Sequence, residues 1–343
     1  MIQHKRTRRK SGGRITLYII ALLAIGIMHL YDRYFGEEQA PAITEQTTST
    51  TSTATSDSPA SASAPKAAPQ KAASASTRAD LYRTGWAELP AEMENDDLYY
   101  AHHISKEEAR RNYTVCFSSS HCCPLWVAYP LHNSYKGEAK RSDSFGYDPT
   151  LSIDIQPLLR HSFGEYTRGH LIGSAERSSS TEMNKQTFYA SNIAPQIQSG
   201  FNASNGAWNN IENFVARQMC ADTLYVVTGC LFDDFNDTGD ITIKASTTTN
   251  KNDGKTISVP TAFYKVLLRT RKGDTGRSVY DCNSEELQCA AFVVGHRSAT
   301  GRKAKDAQIL SVSELEQITG IEFFAGVSNA PKDVINPQDW GLK

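Results

Sequence analysis

The sequence predicts an α+β domain with a mixed or antiparallel sheet core, carried behind an N-terminal transmembrane helix. Three observations predict it. Strand-like and helix-like segments follow one another without the regular βαβ alternation of a parallel sheet. About 240 residues beyond the N-terminal region fall within the size of a single hydrophobic core. An uncharged apolar run lies near the N-terminus, between a basic leader and a low-complexity stretch.

Met1 to Arg14 carries Lys5, Arg6, Arg8, Arg9, Lys10 and Arg14 and no acidic residue. Ile15 to Tyr31 (ITLYIIALLAIGIMHLY) is apolar and uncharged. It is just short of the roughly 20 residues of a comfortable bilayer span and exceeds the roughly 7–15-residue core of a cleavable signal. The basic flank holds the N-terminus in the cytoplasm, and Tyr18 and Tyr31 suit the membrane interface. Asp32, Arg33, Tyr34 and Phe35 follow, with no small-x-small cleavage site directly after the run. The expected order is a cytoplasmic tail (1–14), an uncleaved signal anchor (15–31), a flexible tether (32–79) and an extracytoplasmic domain (80–343), periplasmic or at the cell surface. A cleaved signal peptide is the alternative. Ala40 to Arg78 is mostly Ala, Ser, Thr and Pro and has too little apolar surface to order itself. Asp80 to Ala109, with Trp86, Leu89, Leu98 and Tyr99, is expected to cover the domain as an N-terminal extension.

The formal net charge of −1 conceals an asymmetry: taking the six basic residues of the leader from 36 Lys+Arg leaves 30 against 37 Asp+Glu, a net of −7. That excludes a generally basic nucleic-acid coat protein. Phosphate binding would have to come from a local groove, with Lys136, Lys140, Arg141, Arg160 and Arg168 as candidates. The seven cysteines, Cys116, Cys122, Cys123, Cys220, Cys230, Cys282 and Cys289, all lie in the domain. Beyond an anchor, that placement predicts disulfides, with Cys282–Cys289 and Cys116 with Cys122 or Cys123 as pairs. The rival is a zinc site around His121, Cys122 and Cys123, which lacks a second CxxC-type pair. Asn112-Tyr113-Thr114 fits the N-glycosylation pattern, a match common by chance.

The chemistry concentrates between Glu165 and Arg217 (EYTRGHLIGSAERSSSTEMNKQTFYASNIAPQIQSGFNASNGAWNNIENFVAR). Thr187 to Ile193 reads as a strand. Trp208 to Arg217 has apolar residues at 208, 211, 214 and 215, the spacing of an amphipathic helix. Cutting a phosphodiester requires positive charge at the phosphate, positioned groups and an activated water. His170 is the base candidate, because imidazole keeps a free lone pair near neutral pH. Gly169 permits close backbone approach or a positive φ. Arg168 can fork two phosphate oxygens. Mg²⁺ prefers oxygen ligands and retains waters, which suits an Asn carbonyl, with Glu212 holding those waters. The remaining histidines, His102, His103, His132, His161 and His296, read as structural, though His296 follows a strand from which it would reach the cleft. Glu176 and Arg177 read as solvated pairs, Trp126 and Trp208 as core, and Asn209, Asn210 and Asn213 as exposed helix amides.

This stretch resembles the DNA/RNA non-specific endonucleases, whose site is a ββα-metal finger. The resemblance rests on Thr167-Arg168-Gly169-His170, on SNI-PQ at Ser191 to Gln196, on Phe201-Asn202 and on Trp208 to Glu212. It extends to Pro124–Tyr129 as the first core strand and to Arg141–Phe145 with Asp148-Pro149 as an upstream arginine segment. Val259–Val266 and Ala291–Val294 resemble later strands and Ser311–Phe324 a closing helix, so the similarity covers roughly residues 113 to 326 in order. It implies His170 as general base, an Asn as direct metal ligand, Glu212 and Asn192 as supports of the metal's water shell and the site geometry, and Arg168 and Arg141 near the scissile phosphate. It also implies Mg²⁺ or another divalent cation such as Mn²⁺, DNA and RNA as substrates with little sequence preference, and products ending in a 5′-phosphate.

Two positions depart from the family pattern. Thr167 stands where an Asp is usual. The usual ligand position, four before the Trp, is Ser204. Asn202 keeps the Phe-Asn context and is preferred as ligand; Asn205, in an Asn-Gly-Ala-Trp context, is the alternative. Rival functions are a catalytically inactive nucleic-acid-binding or adhesion module on the same scaffold and a phosphodiesterase for small esters.

Overall fold

Residues 85–342 are described by a computed structural model. In chain order the strands are β1 (Leu98–Ser105), β2 (Arg110–Ser118), β3 (Cys123–Leu131), β4 (Thr167–His170), β5 (Ile193–Gln196), β6 (Leu224–Leu231), β7 (Phe235–Asp237), β8 (Ile241–Ile243), β9 (Ser246–Thr249), β10 (Thr256–Val259), β11 (Ala262–Thr270), β12 (Leu287–Gly295) and β13 (Gln308–Leu310). The α-helices are α1 (Thr181–Gln186), α2 (Ala207–Arg217) and α3 (Val312–Thr319). Seven strands form the main sheet in the order β1-β2-β3-β6-β11-β12-β13. Every neighbouring pair in it is antiparallel. The sheet is thus antiparallel rather than mixed, and the α+β expectation holds for the described residues.

The sheet is buried on both faces, so its central strands are near-continuously apolar and not alternating. Successive residues still point to opposite sides. In β6, Leu224 and Val226 enter one core layer while Tyr225 and Val227 enter the other. In β12, Ala290, Phe292 and Val294 face the first layer and Ala291 and Val293 the second. The first layer is closed by the β4–β5 hairpin and α2, the second by α3 and the segment around Phe323 and Phe324. Helix α3 starts as its sequence predicts: Ser311 Oγ accepts the Glu314 N–H and Glu314 Oε2 accepts the Ser311 N–H, a capping box. It stops earlier than expected, because Gly320 adopts φ +69 after Thr319.

Several expectations need correction. Residues 80–109 do not simply cover the domain, since β1 within them is an edge strand of the main sheet paired with β2. Thr187 to Asn192 is not strand: the backbone turns there and the strand begins at Ile193. The cause is Asn192, whose side-chain amide bonds backbone groups of Ile172 and Thr187 in place of a ladder. Arg177 forms no solvated pair. It is fully buried and donates to Asn112 Oδ1 (2.6 Å) and to the carbonyls of Asn112, Pro130 and Glu176. Asn112 is buried in the same network, donating to Met183 O and Gln186 Oε1, so its glycosylation pattern is inaccessible in the folded chain.

All seven cysteines are free thiols, against the expected disulfides. Cys116 faces one core layer while Cys122 and Cys123 face the other, so the sheet itself separates them. The Cys282 thiol donates to Ser278 O (3.4 Å) and is not bridged to Cys289. His121 bonds Ser258 through Nδ1 (2.9 Å) and stacks on Phe232. Among the described residues no group of three or more His, Cys, Asp or Glu side chains is arranged to hold a metal. The signal anchor and tether lie outside the described residues. Among the described residues no helix is long and apolar enough to cross a membrane.

Candidate active site

Three elements build the site: hairpin strands β4 and β5, and helix α2. β4 pairs antiparallel with β5, with Thr167 opposite Gln196 and His170 opposite Ile193. Gly169 is required by close approach and not by a positive φ. A Cβ there would lie 2.0 Å from Gln196 Cδ, so any larger residue displaces the Gln196 side chain. The strand after Gly169 is fixed from behind by Asn192, which is fully buried. Its Oδ1 accepts the Ile172 N–H (3.0 Å) and its Nδ2 donates to Ile172 O and Thr187 O. Asn192 thus holds backbone next to His170 and does not reach the cleft, which corrects its expected share in a metal's water shell.

Between β5 and α2 the chain makes a tight turn over Gln198–Asn202. The Asn202 N–H donates to Ile197 O (3.1 Å) and the Ala203 N–H to Gln198 O (2.8 Å). Gly206 follows as the N-cap of α2; a Cβ there would sit 2.2 Å from Phe201 O, so only glycine lets the turn close onto the helix. The helix is anchored by Trp208, fully buried, stacked on Phe201 (6.1 Å) and packed at a tilt on Phe263 of β11 (5.3 Å). Burial of such a side chain contributes about 1.5–3 kcal/mol. His296 pins the other side of the turn. Its Nδ1–H donates to Pro260 O (2.7 Å) and its Nε2 accepts the Ile197 N–H (2.8 Å), so both ring nitrogens are engaged. Burial pushes its pKa down to about 4. His296 is therefore structural and does not line the cleft.

Arg141, Arg168, His170, Asn202 and Glu212 all line one cleft of ≈540 Å³. Asp143, Phe145, Thr167, Gln198 and Asn209 share its lining. The His170 ring sits edge-on between two aromatic rings, 4.8 Å from Phe188 and 5.6 Å from Phe145. Arg168 stacks over Phe145 (3.7 Å) and Arg141 over Phe188 (4.8 Å), so two guanidinium groups flank the aromatic–imidazole stack. Burial, then Arg141 and Arg168, push the His170 pKa down to about 3. The imidazole is therefore neutral at physiological pH. Its Nε2 is sealed and has no hydrogen-bond partner among the described residues. Nδ1, which makes no hydrogen bond among them and is not one of the sealed atoms, is the nitrogen open to the cleft.

Arg168 is oriented by Leu159 O (2.8 Å), and burial lowers its pKa. Arg141 is half-exposed, paired with Asp143 (2.6 Å) and donating to Ser174 Oγ. The Asn202 carboxamide makes no hydrogen bond among the described residues and lines the cleft. Glu212 has its pKa raised to about 7 by burial, against the pull of Lys265, which is itself fully buried behind α2 on Tyr129 and Thr228. Asn205 is not in this lining. It sits in a left-handed conformation (φ +63) on the exposed bend before α2, and its carbonyl accepts the Gly301 N–H. Asn209, expected to be exposed, is half-buried and lines the cleft, while Asn210 donates to Arg302 O (2.8 Å).

The donor set of the cleft is oxygen-rich: three amides, Gln198, Asn202 and Asn209, and two carboxylates, Glu212 and the Asp143 already paired with Arg141. That set and an unbonded Asn202 amide fit a hard divalent cation that keeps waters. Gln198 in the lining and Phe188, buried against the His170 ring, were not foreseen as parts of the site. Phe188 lies beside the SNI segment and Gln198 within the turn, so only the fold brings them round.

A model of the DNA/RNA non-specific endonucleases matches residues 99–330. The chain is 26% identical to a nuclease of Nostoc sp. over 64% of this chain and 73% of that protein. It is 28% identical to bovine Endonuclease G over 65% of this chain and 71% of that protein. With mouse mitochondrial Nuclease EXOG it shares 26% identity over 68% of this chain, spanning 61% of that protein's length. A crystal structure of an EndoG/EndoGI complex aligns with a TM-score of 0.53 over 77% of this chain and 94% of that one, at 21% identity, a likeness of fold.

Proposed function

Because this chain belongs to the DNA/RNA non-specific endonuclease family of hydrolases, we propose that its cleft hydrolyses phosphodiester bonds of DNA and RNA with little sequence preference, leaving 5′-phosphates. One observation carries the residue-level reading. The accessible Nδ1 of a neutral, unbonded His170 and the unbonded Asn202 amide line the same cleft, flanked by two guanidinium groups.

His170 takes the proton of the attacking water at Nδ1 while Nε2 keeps its own. Phe145 and Phe188 fix the ring plane, so the lone pair is held in one direction. Arg168 and Arg141 bind non-bridging oxygens and stabilise the charge that grows on them. Asn202 would hold a divalent cation through its carbonyl, with Glu212 orienting the cation's waters; such a cation supplies neutralisation of the phosphate and of the leaving 3′ oxygen. Thr167 offers no carboxylate, and nothing in this scheme requires one at that position. Base contacts are few because the groups that bind are phosphate binders.

Asn202→Ala should raise the Mg²⁺ concentration for half-maximal cutting or abolish cutting. Asn205→Gly, which suits the left-handed bend, should leave the Mg²⁺ dependence unchanged. The reverse pattern assigns the ligand to Asn205; no change in either sinks the one-amide site. We also propose that the domain lies outside the cytoplasm on an uncleaved anchor, resting on the basic leader and the Ile15–Tyr31 run. Alkaline extraction should leave the full-length chain in the membrane pellet. A soluble chain beginning after Tyr31 would mean a cleaved signal.

A further inference from the structure

A second groove of ≈760 Å³ runs along the adjoining strip of α2, lined by Asn213, Arg217, Lys303, Lys305 and Trp340. Three of these are cations, and among the described residues no carboxylate is in the lining. Arg217, Lys303 and Lys305 are exposed and make no side-chain hydrogen bond or ion pair among the described residues. By contrast Arg302, next in sequence, is engaged by Asp237 (2.7 Å). Asp306 is the nearest acid in sequence; its Oδ2 accepts the Lys303 N–H (2.9 Å), capping the turn. In a domain with more acid than base overall, three cations without a partner among the described residues share one groove, a local concentration of positive charge.

The groove is built as firmly as the cleft beside it. Gly301 N–H donates to Asn205 O (2.8 Å) and Asn210 Nδ2 to Arg302 O, which ties the lysine-bearing turn to the start of α2. Only a ridge of amides separates the two clefts: Asn213 Nδ2 donates to Asn209 Oδ1 (3.1 Å), and Asn209 lines the first cleft while Asn213 lines the second. A helix with its side chains is about 10–12 Å wide. A strand crossing it advances roughly three nucleotides at about 3.4 Å each.

We propose that this groove is a secondary phosphate-binding track, in which Arg217, Lys303 and Lys305 hold the sugar-phosphate backbone a few nucleotides from the scissile bond. The proposal rests on the nuclease reading of the adjoining cleft. It makes substrate length matter: long strands engage the track, and short ones reach only the cleft. Trp340 is buried beneath it, so bases are not stacked there and the track reads charge alone.

The test compares the parent with the triple variant Arg217→Gln, Lys303→Gln, Lys305→Gln. Binding of a labelled 30-mer duplex is read by anisotropy without divalent cation. Cutting with Mg²⁺ is read on that duplex and on thymidine 5′-p-nitrophenyl phosphate. Three lost phosphate contacts should make the parent's affinity fall roughly 20–40-fold more than the variant's between 50 and 200 mM salt. KM for the duplex should rise, with kcat/KM on the short diester and the melting temperature unchanged. Equal duplex KM and equal salt dependence in both proteins overturn the track while leaving the nuclease reading intact. Equal losses on both substrates also overturn it, because the cations would then act on the cleft. A parent that binds duplex but cuts nothing refutes the nuclease reading alone; the track then stands or falls on whether the variant loses that binding.

Discussion

Replacing His170 with Ala should cut turnover on plasmid DNA by roughly 10²–10⁴-fold, the range for loss of a general base. The imidazole is the neutral base of the cleft: its neighbours are Phe145, Phe188 and two guanidinium groups, and it makes no hydrogen bond that would engage its lone pair elsewhere. Duplex binding should survive, because the arginines remain. Removal of a ring packed between two aromatics leaves a cavity, so His170→Gln serves as the volume control and should be as inactive as Ala. Near-parental turnover in either folded variant would remove His170 from the mechanism.

Arg177→Ala should destabilise the domain by about 3 kcal/mol or more, since buried acceptors are left without their donors. Its guanidinium bonds Asn112 through both side chain and backbone and ties β2 to β3 through Pro130 O. It also stacks on Tyr135 (4.3 Å), so packing is lost with the hydrogen bonds. For a domain of this size that loss lowers the melting temperature by roughly 6–12 °C. Arg177→Lys should rescue little, because an ammonium cannot fork to several acceptors at once. A melting temperature within about 2 °C of the parent would show that the network is dispensable.

The sequence alone carried the class of the domain and the chemistry of its cleft. Apolar spacing placed α2 to within one residue, at Ala207–Arg217 against the expected Trp208–Arg217, because an amphipathic helix writes its buried face into local order. The ordered Arg-Gly-His, SNI-PQ and Trp-to-Glu motifs were legible because each is short and contiguous in the chain. The fold decided what depends on residues distant in sequence. Arg177 looked like a surface charge until Asn112 and Pro130 closed over it. Cysteine count suggested bridges, but the sheet puts Cys116 and Cys122 on opposite faces. Asn202 and Asn205 are chemically equivalent in the string, and only the turn closed by Gly206 aims one into the cleft and leaves the other on an exposed bend. Side-chain type and period are properties of neighbouring residues, whereas burial, facing and proximity arise from contacts between segments distant in the chain, 65 and 47 residues for Arg177 with Asn112 and Pro130, and these no local pattern encodes.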